Sequence, residues 1–112
     1  MIGLSRGEVW LVDLGLAAKM RPCVVMSVPA RGSNDRVLVT TVTHTTSPRG
    51  SAFEVALPVR FLKAGVFDAQ NLVTVPHAKL VRKLGVLSAE QFANVEMAVR
   101  RWLGLGAPCS SQ

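Results

Sequence analysis

The sequence predicts an α+β domain in which a curled antiparallel sheet of five or more strands precedes a single C-terminal helix. Short apolar and β-branched segments recur before residue 85, separated by stretches rich in Pro, Gly, Ser and Asn. One helical pattern follows, bounded by a capping box and by glycines. The chain has 112 residues, which suits one core and leaves little for a second. The expected organisation is a single domain over 1–106 and a flexible tail over 107–112.

Glu8 to Leu14 reads as the first strand, rich in Val, Trp and Leu. Gly15 to Met20 is a short connection. Pro22 to Val28 is a continuous apolar run, the pattern of a strand buried on both faces. Pro29 to Arg36 is a loop, and Val37 to Thr46 is a long β-branched strand. Ser47 to Ser51 turns the chain. Phe53 to Leu57 alternates, with Glu54 opposite Phe53, Val55 and Leu57. Pro58 to Gly65 is irregular or a short helical turn, Asn71 to Val75 is another strand, and Lys79 to Leu84 fits either a strand or a helical turn. Ser88 and Gln91 have capping-box spacing, and Phe92, Val95, Val99, Trp102 and Leu103 share one helical face. Arg100 and Arg101 stand near the helix end, as the helix dipole favours, and Gly104 and Gly106 stop it. Closing the curled sheet into a small barrel removes its exposed edges.

Composition narrows the function classes. Thirteen Lys and Arg against seven Asp and Glu give a net charge of +6, which favours an anionic partner such as nucleic acid, although a solvated basic surface has the same balance. No run of about twenty uncharged apolar residues occurs, so no membrane span is expected. The first residues lack the order of a signal peptide, so a cytoplasmic location is expected. Cys23 sits in an apolar run and reads as a buried thiol, while Cys109 lies in the polar tail, and the pair makes no disulfide framework. Two well-separated histidines form no metal-ligand cluster, and no metal or cofactor is expected.

If Val28 faces Val37 across the Pro29–Arg36 loop, paired residue numbers sum to 65. Arg21 then falls opposite His44, beside Thr43 and Thr45, with directly opposed Cβ atoms about 5 Å apart. Arg21 precedes Pro22 and is therefore biased towards an extended conformation at the sheet rim. Thr41, Thr43 and Thr45 share one face of their strand; His44 and Thr46 share the other. A guanidinium beside hydroxyls suits a phosphodiester, because Arg clamps phosphate with a permanent charge and Thr hydroxyls donate to non-bridging oxygens. Threonine also favours strands for its shape alone, and the residue pattern leaves both readings open. His44 fits either a general acid or base or a structural residue.

Several segments resemble one family. Arg6-Gly7-Glu8-Val9-Trp10-Leu11-Val12-Asp13 is similar to the first strand of MazF/PemK toxins. Arg21-Pro22-Cys23-Val24-Val25-Met26-Ser27 resembles their Arg-Pro-x-x-Val-x-Ser signature. Thr45-Thr46, Gly50 and Phe53-Glu54-Val55 resemble a further block, Gln70-Asn71 stands where such toxins carry Asp-Gln, and the helix ending in Leu103-Gly104-Leu105 is also similar. The resemblance spans about Arg6 to Leu105. It implies an SH3-like barrel with a C-terminal helix (MazF/CcdB-like), a homodimer, and a type II toxin neutralised by a cognate antitoxin. It also implies metal-independent, sequence-selective cleavage of single-stranded RNA or mRNA by attack of the ribose 2′-hydroxyl.

By the same resemblance Arg21 and Thr45 are the essential pair. Arg21 is expected to meet transition-state charge and transfer a proton, Thr45 to position the phosphate, and Thr43, His44, Thr46, Ser47, Lys19, Arg49, Gln70 and Asn71 to be supporting or RNA-binding residues. The sequence departs from the family in Leu16-Ala17-Ala18-Lys19-Met20, which is short and lacks the acid that many members place before Arg-Pro. That departure makes His44 a candidate for proton transfer. It also keeps an alternative in view, a protein of this fold that binds a topoisomerase-type target or RNA without cutting.

Overall fold

A computed structural model describes residues 3–16 and 19–106 of the chain. The tail expected over 107–112, with Cys109, lies outside the described residues, as do Ala17 and Ala18 of the first connection. Among the described residues six strands precede one helix: β1 (Glu8–Asp13), β2 (Met20–Val25), β3 (Leu38–Thr45), β4 (Glu54–Val55), β5 (Val66–Pro76), β6 (Leu80–Val86) and α1 (Ala89–Leu103), with a 3-10 turn at His77–Lys79. The strands form one sheet in the order β4-β5-β3-β2-β1-β6, and every pairing is antiparallel. The expected α+β architecture is the observed one. The sheet curls without a closed ladder, because β4 and β6 remain its two edges.

The curl lets both faces bury apolar side chains. Cys23, Val24 and Val25 of β2 are all fully buried, Cys23 and Val25 in one cluster with Val12, Val39 and Val75, and Val24 in the other. That is the pattern expected of a run without polar alternation. The second cluster joins Val9, Val24, Val42 and Phe67 to Val95 of α1. The segment between β4 and β5 adds Val59, Phe61 and Leu62 to this core. Phe61 lies over Gly85 of β6, where a Cβ would stand 2.4 Å from its ring. Gly85 adjoins a register shift in the β1–β6 pairing, so the bare backbone there admits the aromatic ring that spans from one sheet edge towards the other.

Helix α1 begins and ends as its sequence dictates. The Ser88 side chain accepts from the Gln91 amide at 3.1 Å, and the Gln91 side chain accepts from the Ser88 amide at 2.9 Å. Gly104 adopts the left-handed conformation, with Gly104 and Leu105 amides donating to the Arg101 and Arg100 carbonyls, a Schellman closure. Val95 and Ala98 are its buried residues. Trp102 and Leu103 of the expected apolar face are instead 42% and 48% exposed. Trp102 meets Phe53 edge-on at 5.3 Å.

Strand boundaries and the β2–β3 register differ from the sequence expectation. β2 stops at Val25, since the Met26 and Ser27 amides both address the Thr40 carbonyl and regular pairing ends there. β5 starts at Val66 rather than Asn71. Its register against β3 jumps from Thr43↔Asp68 to Val42↔Leu72, so Ala69, Gln70 and Asn71 form a bulge. The bulge interrupts the two-residue alternation that would have marked one long strand. The β2–β3 pairs Cys23↔Thr43, Val24↔Val42 and Val25↔Thr41 sum to 66, one more than the expected 65. Val28 and Val37, the assumed partners, are exposed and outside the ladder. A slip of one residue turns every side chain to the other face.

Candidate active site

The corrected register decides what Arg21 meets. Continued towards the rim it sets Arg21 opposite Thr45, not His44. Arg21, Thr43 and Thr45 line one groove of about 550 Å³, together with Ser47, Arg49 and Asn71. His44 and Thr46 point to the other side of β3, as alternation requires, into a smaller hollow that Lys19 and Arg21 also line. Gln70, at the crest of the β5 bulge, is exposed and lines neither.

The threonines on the groove face differ in their commitments. Thr41 is fully buried and donates to the Val73 carbonyl at 3.2 Å. Thr43 is 2% exposed and accepts from the Cys23 thiol at 3.6 Å. Burial pushes that thiol above its ordinary pKa, so Cys23 is held as a neutral packing group. Thr45 is half-buried, and its hydroxyl oxygen accepts from the Ser47 amide at 3.1 Å. This orientation leaves the Thr45 O–H hydrogen for a ligand.

The turn after Thr45 is built on a carboxylate. Glu54 accepts from the Arg49 amide at 2.8 Å and from the Gly50 amide at 2.9 Å. These backbone bonds, Arg49's first, hold the Glu54 carboxyl below its usual range. The loop that carries Ser47 and Arg49 is thereby tied to the edge strand. Gly50 has φ +82°, which a side chain rarely adopts, and the turn needs it.

The groove also contains acids that the sequence did not single out. Asp13 lies at the end of β1 and accepts from the Gly15 amide at 3.0 Å. Asp68, paired with Thr43, accepts from the Gln70 amide at 3.0 Å and lines the groove beside Glu54. Glu54 was legible only as an outward-facing strand residue. Its place four and five residues after the Gly50 and Arg49 amides is the signal that it holds the turn. Asp68 carried no signal, because the bulge hid the start of β5. Among the described residues no group of three or more His, Cys, Asp or Glu is placed to hold a metal ion.

His44 is 3% exposed and meets Phe67 edge-on at 4.9 Å. Burial lowers its pKa below the ordinary 6.5. It is a neutral, packed ring on the far side of β3 from Thr45 at neutral pH.

Solved structures similar to this chain include endoribonucleases and a toxin. The chain is similar to an endoribonuclease from a mycobacterial species, with 27% identity, a TM-score of 0.78, and coverage of 96% of this chain and 98% of that one. A mycobacterial endoribonuclease in complex with its cognate antitoxin matches at 27% identity and TM-score 0.79, covering 95% of this chain and 100% of its own. Mycobacterium tuberculosis toxin MazF-mt6 matches at 27% identity and TM-score 0.73, covering 89% and 99%. The fold and groove thus define a small toxin-type domain. The family described as PemK-like, MazF-like toxin of type II toxin-antitoxin systems matches residues 5–103, and the chain belongs to that family. Among the described residues no helix is long and apolar enough to cross a membrane.

Proposed function

We propose that this chain is a toxin that cuts single-stranded RNA, sequence-selectively and without a metal, and that Arg21 and Thr45 form the reacting centre. The observation that carries this reading is the convergence of Arg21, Thr45, Ser47 and Arg49 on one groove at the rim of the sheet. The ribose 2′-oxygen attacks the adjacent phosphorus, a new O–P bond forms, and the bond to the 5′-oxygen breaks. The products are a 2′,3′-cyclic phosphate and a 5′-hydroxyl. Arg21 meets the charge that builds on the non-bridging oxygens, and the Thr45 hydroxyl donates to one of them. The 2′-hydroxyl proton passes to a groove carboxylate, with Asp13 and Asp68 present to take it, and a water molecule protonates the departing 5′-oxygen. These acids stand in for the one missing from the short first connection, and His44 serves packing.

The resemblance to a mycobacterial endoribonuclease solved with its cognate antitoxin supports an antitoxin as partner. In this reading the antitoxin covers the groove and two copies of the chain form the working toxin. The test is incubation of purified protein with single-stranded RNA in EDTA, followed by mapping of the ends. Cyclic phosphate termini are expected, with the rate reduced at least about 10²-fold by Arg21→Ala, the scale of losing a preorganised oxyanion partner. RNA of varied sequence left intact by the wild-type protein would overturn the proposal.

A further inference from the structure

The two hollows on either side of Arg21 differ in charge. Arg21 lines both; beside it in the main groove Arg49 and Lys79 stand among Asp13, Glu54 and Asp68. In the second hollow, of about 350 Å³, Lys19 and Lys63 meet no carboxylate among the described lining residues. Neutral His44 adds no negative charge, and Phe61 supplies an apolar wall. An anion gains most where positive charge is uncompensated. Thr45 and Thr46 are successive residues facing opposite sides, so the end of β3 presents a hydroxyl to each hollow.

We infer that the second hollow is a binding site for the backbone phosphate next to the scissile one, held by Lys19 and Lys63. An RNA strand then crosses the end of β3, with the reacting phosphate on the Thr45 side and its neighbour on the Thr46 side. Arg21 lines both hollows and links the two positions. The cationic hollow carries the electrostatic share of binding. This inference rests on the ribonuclease reading above.

The test pairs protein variants with substrates in which one linkage near the cut is an uncharged methylphosphonate. With the wild-type protein, neutralising one particular neighbouring linkage is expected to raise KM about tenfold. In the Lys19→Ala/Lys63→Ala variant the same neutral linkage is expected to cost nothing further, because its partners are already gone. The salt dependence of binding should also weaken, the logarithmic slope falling by about 0.7 for one lost phosphate contact on a single strand. An unchanged salt slope, or penalties that multiply independently, overturns the second site while wild-type cleavage leaves the ribonuclease reading standing. The same comparison is made by binding of an oligonucleotide lacking the 2′-hydroxyl at the cut, so a slow enzyme still reports on the hollow. Absence of both cutting and binding by the wild-type protein rejects both proposals.

Discussion

At the residue scale, Thr45 and His44 are neighbours whose side chains enter different chemistry because a strand alternates its faces. Thr45→Val keeps the β-branched shape and removes the hydroxyl. It is expected to lower the single-turnover cleavage rate about 10²-fold or more, whereas Thr45→Ser retains most of it. His44 makes a separate prediction about stability. Burial lowers its folded pKa below the ordinary 6.5, so below pH 6.5 the unfolded chain binds more protons than the folded one. Its contribution is fully present above that pH and is lost as pH falls through the folded pKa. Urea midpoints taken from pH 7.5 down to pH 5 should therefore decline, and His44→Gln should flatten the decline. Gly65 sits beside the same ring: a Cβ there would lie 2.2 Å from the Thr45 carbonyl oxygen and 2.9 Å from the His44 ring. Gly65→Ala should destabilise the fold by about 2–3 kcal/mol through overpacking, measured by denaturant unfolding.

At the element scale, α1 and the 47–51 turn show two uses of a polar side chain on backbone amides. Ser88→Ala removes one half of the capping box and should cost about 1 kcal/mol of unfolding free energy in urea titrations. Glu54→Gln weakens the hold on the Arg49 and Gly50 amides without changing side-chain length. Faster hydrogen exchange at those two amides is the expected outcome, with exchange in α1 unchanged; equal protection in both proteins would deny Glu54 this role. The capping box was legible because its partners lie three residues apart. The Glu54 clamp was not, although its partners are nearly as close, because alternation made Glu54 look like an ordinary outward-facing strand residue. β5 was truncated in the sequence reading for a related cause, the bulge at Ala69–Asn71 that breaks the period of two.

At the scale of the whole molecule, distant segments are tied by contacts that no local pattern announces. Arg6 donates to the Met26 carbonyl at 2.7 Å, pairs with Glu96 of α1, and lies over the Phe92 ring at 5.0 Å from its centroid. Glu8 is buried against Trp10 and Lys83. Burial raises its carboxyl pKa, but the Trp10 indole, the Ser5 amide and Lys83 together bring it below the ordinary value. The Arg6–Glu96 side chains are 41% and 33% exposed, so solvent screens the pair. A double-mutant cycle should give a coupling of about 1 kcal/mol or less that fades in high salt. The placing of charge likewise shows only in three dimensions, where one hollow holds acids and bases together and the other has no acid among its described lining residues.

The sequence by itself determined the elements with strong local signals: the β-branched β3, the doubly buried β2, the capped helix and their order in an α+β chain. Resemblance in Arg21-Pro22 and Thr45-Thr46 pointed to the family that the matched residues 5–103 establish. Only the tertiary structure decided which residues share a groove. The step of one residue in the β2–β3 register set Arg21 opposite Thr45 instead of His44, with its side chain lining both hollows, and the β5 bulge brought Asp68 and Asn71 to the main groove. Local propensity acts over a few residues and reports the backbone state of each segment. Register is set by how both faces of the curled sheet bury their apolar side chains at once, and that balance exists only when all the strands are together.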